Sequence, residues 1–215
     1  MANTSNPFGF RQFGSREGSA PTAGMDRMFV SSGQTIPIFT GDVVINSTTL
    51  PYVISGGSTA AVTTVMQGVF IGCKYYNTSL NRTIVNSYWP GSGATGDVEA
   101  YVCTNPEQLY LVQGSTGGVL GTSCIGLGAP MSVTNSSQGN TTTGQSVMTL
   151  QSSLVTGLSS NAQFKIVDIY SNVAPPGTNG TSTGAEGWQI VVVQPLNSAR
   201  RTLQSALSPA TMFTT

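Results

Sequence analysis

The stretch Gly68-Val69-Phe70-Ile71-Gly72-Cys73-Lys74-Tyr75-Tyr76 decides the fold. It is rich in β-branched and aromatic residues, which suit a pleated, half-buried surface. On a period of two, Val69, Ile71, Cys73 and Tyr75 share one face and Phe70, Gly72, Lys74 and Tyr76 the other. Both faces are mostly apolar, so this strand is expected to be covered on both sides, as in a barrel or sandwich. Two further strand-like segments follow, Val98–Cys103 and Gln108–Gln113. Turn chemistry precedes each, in Trp89-Pro90-Gly91-Ser92-Gly93 and in Thr104-Asn105-Pro106.

On the amino-terminal side, Met25–Val30 reads as a short strand and Tyr52-Val53-Ile54 as a weak one. Between them Gly41-Asp42 splits the apolar run Thr35–Ile45 as a tight turn, and Pro37 confines its strand to an edge or a start. On the carboxyl-terminal side, Ser132–Gly144 is a long polar loop and Gln145–Leu150 alternates. Gln163–Tyr170 and Gly187–Gln194 are strong strands. Ser198–Leu207 reads as a short helix, with Leu203 and Leu207 one turn apart and Pro209 stopping it. No fixed-period repeat and no long amphipathic helical pattern occurs. The expectation is an all-β fold of roughly eight to ten strands. Its body, residues 25–196, is a single β-barrel or β-sandwich, with an extended N-terminal arm at 1–24 and a short C-terminal tail at 197–215.

The chain has 215 residues, of which 39% are hydrophobic, enough for one core. Only 7% are charged, far below the roughly 25% of an average soluble protein. Its polar surface must therefore be built from Ser, Thr, Asn, Gln and Gly. Such a surface suits a permanent assembly, which avoids desolvating many charges at contacts; it equally suits a secreted β-protein with a neutral exterior. The net charge is zero and the basic residues are scattered, so no nucleic-acid footprint exists. No apolar stretch has the length of a membrane span, and no signal peptide is visible at Met1–Asn6. Cys73, Cys103 and Cys124 make an odd set, expected to be free thiols made in a reducing cytoplasm.

There is no histidine, which removes the commonest general base, the Ser-His-Asp and Cys-His arrangements and nearly all zinc sites. Asp97 and Glu99 lie two apart on one strand face, as a paired-carboxylate site or a solvated strand end; the second is far commoner. No phosphate loop is present, and Gly68, Gly72, Gly126 and Gly128 read as bulge or close-packing glycines. The expectation is therefore no enzyme, no catalytic residue, no cofactor and no metal.

The first 24 residues hold Phe8, Phe10 and Phe13 among Arg11 and Arg16, with no periodicity. Burying each ring is worth about 1.5–3 kcal/mol. The arm thus grips a neighbouring subunit through these five residues, or it straps over the protein's own core. The first is the reading taken as the interface.

The chain also resembles the decoration, or cement, proteins of tailed-bacteriophage heads. Members open with text like Asn6-Pro7-Phe8-Gly9-Phe10 and continue with a strand-turn like Ile38-Phe39-Thr40-Gly41-Asp42. A strand like Gly68–Gly72, a loop like Thr142-Thr143-Gly144-Gln145-Ser146 and a last strand like Gly187–Val193 follow. The strands here carry Asn and Thr where charged relatives carry Asp and Arg. The resemblance implies a virion protein on the capsid exterior, made in the host cytoplasm. It implies binding to the major capsid protein, homo-oligomers with a trimer favoured, and no catalysis. The alternatives are a tail or fibre subunit, or a carbohydrate-binding β-sandwich whose Tyr75, Tyr76, Tyr88 and Trp89 stack on sugar rings. Thiol titration of denatured protein purified without oxidant is expected to count three free groups; a count of one would mean a disulfide.

Overall fold

The computed structural model describes residues 5–16, 18, 25–47, 52–56, 65–115, 120–132, 139–152, 162–170 and 188–200. In chain order the strands are β1 (Arg11–Ser15), β2 (Met25–Val30), β3 (Val43–Asn46), β4 (Val53–Ser55), β5 (Met66–Asn77), β6 (Arg82–Asn86), β7 (Val98–Cys103) and β8 (Gln108–Gln113). After them come β9 (Gly128–Ala129), β10 (Met131–Ser132), β11 (Gly139–Asn140), β12 (Gln145–Ser146), β13 (Thr149–Leu150), β14 (Phe164–Ile169) and β15 (Ile190–Pro195). Helical structure among the described residues is confined to 3₁₀ turns, of which Thr122–Cys124 is one. The expected all-β body is thus what the chain forms, as a sandwich-like stack and not a closed barrel.

Two antiparallel sheets carry it. One has the order β1-β8-β15-β14-β9; the other runs β2-β7-β5-β3-β4, with β6 also paired to β5. The chain changes sheets between β7 and β8, although the two strands are nearly contiguous in sequence. Thr104–Glu107 makes that crossing. Asn105 closes the turn, its carbonyl accepting from the Gln108 N–H (3.2 Å) and its side-chain oxygen from the Glu107 N–H (2.9 Å). Pro106 inside the turn donates no backbone hydrogen bond and presets its own φ.

Twelve-residue β5 is the common strand of the second sheet. β7 runs along one side of it, while β3 and then β6 share the other. Its period of two breaks at Ile71, an extra residue opposite β7: Phe70 pairs with Val102 and Gly72 with Tyr101. This bulge corrects the face assignment read from sequence. Val69 and Ile71 face the core between the two sheets, whereas Phe70, Cys73 and Tyr75 share the core on the opposite side. The bulge re-aims the strand, so that one strand feeds two cores.

The first core joins Val43, Val69, Tyr110, Val112, Phe164, Ile166, Val191 and Val193 from facing strands. The second, around Val44, Val53, Phe70, Cys73, Trp89, Val98 and Val102, lies within the curl of the second sheet. That sheet bends until Phe29 of β2 and Tyr52 meet in a single isolated bridge, without closing. Coverage of β5 on both faces therefore holds, by the partner sheet on one side and by the sheet's own curl on the other.

The amino-terminal segment differs from the free arm expected. Arg11–Ser15 is the terminal strand of the first sheet, paired with β8. Phe10 is 1% exposed and stacks on Phe164 with ring centroids 4.4 Å apart. For Phe10 the strap over the protein's own core is the observed arrangement, because a ring buried among Tyr110, Val43 and Phe164 has no surface left for a neighbour. The body also runs past 196: the Leu196 N–H donates to the Gln163 carbonyl (2.8 Å), and Ser198 bridges Met66. The expected helix at Ser198–Leu207 begins as this bridge and a turn, and from residue 201 it lies outside the described residues.

Phe10→Ala is expected to cost about 3–5 kcal/mol in urea unfolding, and Phe13→Ala less than about 1 kcal/mol, since Phe13 is exposed. Equal losses for the two would contradict the placement of Phe10.

Candidate functional site

Four pieces distant in sequence converge on one turn. Phe39–Asp42 closes with the Asp42 N–H donating to the Phe39 carbonyl (2.9 Å). Gly41 stands third in that turn at φ +92°, which suits only glycine at low cost. The Gly41 carbonyl accepts from the Phe10 N–H (2.9 Å) and the Gly41 N–H donates to the Phe70 carbonyl (2.9 Å). The Phe70 N–H returns to the Asp42 carbonyl (2.8 Å). The Thr40 N–H donates to Gly144 and the Thr40 carbonyl accepts from Ser146, both at 3.0 Å. The approach of the amino-terminal segment is close enough that a Cβ on Gly9 would fall 2.5 Å from the Ser146 Cβ. These are the segments Asn6–Phe10, Ile38–Asp42, Gly68–Gly72 and Thr142–Ser146, tied together by the Thr40 and Gly41 N–H groups and the Thr40, Gly41 and Asp42 carbonyls.

Beside the turn opens a cleft of about 370 Å³. Phe8, Phe10 and bulged Ile71 give it apolar walls; Gln12, Thr40 and Gln145 give it polar ones; Arg11 is its one charged lining residue. The Thr40 hydroxyl donates to the Ile71 carbonyl (2.8 Å), fixing the bulge at the cleft's floor. The Gln12 side-chain nitrogen is buried with no hydrogen-bond partner among the described residues.

Of the five expected interface residues, the structure brings Phe8, Phe10 and Arg11 to this cleft. Phe13 lies elsewhere on β1. It is the bulged residue between Gln12 and Gly14, 47% exposed, with its ring edge-on to Tyr170 at 5.8 Å. Arg16 donates from Nη1 to Gln194 of β15 (3.2 Å), so it is bound to its own body. Sequence reasoning missed Thr40, Ile71 and Gln145 as cleft residues, and nothing in their composition marks them.

Behind the turn lies Asp42, read from sequence as a turn residue only. It is fully buried, and its Oδ2 accepts from the Phe39 N–H (2.8 Å), while Oδ1 has no partner among the described residues. Burial raises its pKa from 3.8 to about 7, against smaller opposing effects of the Phe39 N–H and the Ser146 hydroxyl. A carboxyl between Phe39 and Val43 in an apolar run was the available signal.

The other sequence candidates do not assemble. Asp97 accepts from the Tyr52 hydroxyl (2.8 Å); Glu99 accepts from the Tyr101 hydroxyl (3.1 Å) and meets Arg27 at 3.7 Å. Each acid thus has its own partners, and no carboxylate pair forms. Tyr75 and Trp89 are buried against each other edge-on, and the indole N–H donates to the Gln34 carbonyl (3.1 Å). Tyr88 stacks on Phe39 at 5.4 Å. The aromatic platform of the carbohydrate-binding alternative does not assemble: of its four rings only Tyr76 is exposed. No disulfide joins the three cysteines, and burial pushes the Cys73 thiol up to about 12. Among the described residues no cluster of three or more Cys, Asp or Glu is placed to hold a metal ion. Comparison with protein-family models, with curated proteins and with solved structures gives no match.

Asp42 makes stability depend on pH. Its folded-state pKa exceeds its unfolded one, so the native state binds the extra proton between about pH 4 and 7 and loses stability as pH rises through that window. The loss is on the order of 4 kcal/mol and flattens above pH 7. Asp42→Asn keeps an acceptor for the Phe39 N–H and is expected to remove this part of the slope. Urea melts of both proteins from pH 4.5 to 8.5 measure it, and parallel curves would show that Asp42 does not carry the effect.

Proposed function

We propose that the chain is a virion structural protein that binds the outside of a phage capsid and stabilises it, a decoration or cement protein whose partner is the major capsid protein. The observation that carries this reading is the convergence at Gly41. Four of the five dispersed segments that resemble decoration proteins bond to one turn there. A likeness carried by scattered short pieces gains weight when those pieces form one structural unit.

Two features support the same reading. The first is the charge-poor exterior, 7% of the chain, which a shell contact covers at little desolvation cost. The second is β1, which ends its sheet and is followed outward by no strand among the described residues. A segment of a capsid subunit adding to that edge gains main-chain hydrogen bonds, with Phe8 and Arg11 at the cleft for side-chain contacts. Many copies on a symmetric shell strengthen such single contacts through avidity.

The grip in this reading consists of the outward residues Phe8, Arg11 and Phe13. Deleting the whole arm is no test, since it would remove Phe10 from the core. Heads lacking the protein are instead mixed with wild type or with a Phe8→Ala, Arg11→Ala, Phe13→Ala variant. Bound copies are counted after dilution and after heating. The expected result is saturable binding of wild type, about 10-fold or more weaker for the variant, at similar folded stability. Failure of wild type to associate with heads, or equal retention of the two proteins, would overturn the proposal or its assigned contact respectively.

A further inference from the structure

Asp42 is the only acid buried among the described residues, and it stands in the turn that joins four segments. The groups that meet its carboxyl are neutral: the Phe39 N–H of its own turn and the Ser146 hydroxyl of β12. Next to it the Val43 N–H donates to the Met148 sulfur (3.3 Å). Among the described residues no charged group acts on the carboxyl; Arg11 on the amino-terminal side and Lys74 on β5 are both exposed. An ionised Asp42 in the closed structure is therefore a charge held out of water with no cation beside it. The cover over its partner Ser146 is Gly9, buried at φ +72°. A Cβ on Gly9 would fall 2.5 Å from the Ser146 Cβ and 2.9 Å from both its hydroxyl oxygen and the Gly41 carbonyl oxygen. Little holds this cover down. Pro7 has no N–H, and the Asn6 N–H donates to the Gln113 side chain (3.0 Å). No other hydrogen bond of residues 6–9 occurs among the described residues. Phe10, by contrast, is anchored by its ring on Phe164.

We propose that the segment Asn6–Gly9 is a proton-controlled latch over Asp42. With the carboxyl protonated, the segment lies closed on Ser146 and the Gly41 turn. With the carboxyl ionised, it lifts, pivoting at the anchored Phe10, and lets water reach the charge. The movement breaks the bond from the Phe10 N–H to the Gly41 carbonyl and leaves the Phe10 ring in the core. It also takes Phe8 from the wall of the cleft, which is complete only in the closed state. The direction follows from the proton. Burial holds it on Asp42 up to about pH 7, whereas an Asp42 in water loses it near 3.8. Between these values the closed state binds one proton more than the open state, so rising pH favours opening until the closed state also ionises. The latch is a local event within a folded body, and it does not depend on the capsid reading.

The test is amide hydrogen exchange of the full chain across this pH range, each rate divided by its intrinsic value at that pH. In wild type, exchange at the Phe10 N–H is expected to rise about 10-fold per pH unit and to level above about pH 7. In Asp42→Asn it is expected to stay flat, because the amide has no proton to lose. Urea below the unfolding transition is expected to leave the Phe10 rate nearly unchanged. It is expected to speed exchange at the Ile166 N–H, whose bond to the Leu127 carbonyl (2.9 Å) lies in the body. Gly9→Ala supplies the converse: its methyl crowds Ser146, so the Phe10 N–H is expected to be weakly protected even in acid and to show no slope. A flat wild-type profile, or the same slope in Asp42→Asn, overturns the proposal. So does a Phe10 rate that follows Ile166 in urea, since the opening would then be global. Wild-type protection and slope in Gly9→Ala would show that the segment is not the cover and equally overturn it.

Discussion

The amino-terminal segment and the bulged strand β5 are tied together through one left-handed glycine. Gly41 turns the chain back at φ +92°, and its carbonyl and N–H reach two different segments, Phe10 and Phe70. A side chain at this position would meet the Phe10 N at 3.1 Å and the Gly9 Cα at 3.3 Å, on top of the backbone strain. The amino-terminal segment therefore lies against bare backbone, and its Phe10 ring reaches the core between the sheets. If the turn were lost, Phe10 would lose its anchor, the bulge at Ile71 its neighbour, and Ser146 its partner carbonyl on Thr40.

The cost of this arrangement is a buried carboxyl. Asp42 holds the turn through the Phe39 N–H, but no cation among the described residues is positioned beside it: its pKa rises through burial, with only hydrogen bonds opposing the rise. In a chain with 7% charged residues, such a group contrasts with the rest of the interior, which relies on amides and hydroxyls. Gln108 illustrates the usual solution, its side-chain nitrogen donating to the Gly14 carbonyl (2.6 Å) and tying β1 to β8 without a charge. Neutral polar groups satisfy the backbone at less desolvation cost than ions do.

The strands were legible because their side chains alternate and their turns are marked. Val98–Cys103 and Gln108–Gln113 have the boundaries read from sequence. What alternation could not convey was where it fails. Ile71 and Phe13 are both extra residues in bulges; Gly72 and Gly14 beside them permit a bulge, as read for Gly72, but do not show which residue is the extra one. Sheet membership was equally hidden: β7 and β8 look like neighbours, yet Thr104–Glu107 carries the chain from one sheet to the other. The arm was misjudged for a related reason. Three phenylalanines without periodicity signal burial but not whose core receives them, and only the pairing of β1 with β8 settles that for Phe10. Trp89 shows the same limit, since an aromatic next to a glycine turn looks like a surface ring until its partner, here Tyr75, is known.

A sheet covered on both faces near the Gly41 turn but bare beyond it has a particular consequence. The first sheet packs over Val43, Val69 and Cys103, and there the outer face of the second sheet is apolar throughout. Further along the same strands the pattern changes at Lys74 and Glu99 to charge flanked by Phe29 and Val85. The change marks where intramolecular cover ends. Glu99 stands directly opposite Lys74 across β7 and β5 and meets Arg27 at 3.7 Å, so the charges of this region lie side by side where the first sheet no longer packs. The strand pattern thus divides one continuous sheet face into a region sealed by the chain itself and a region where charged residues replace apolar ones.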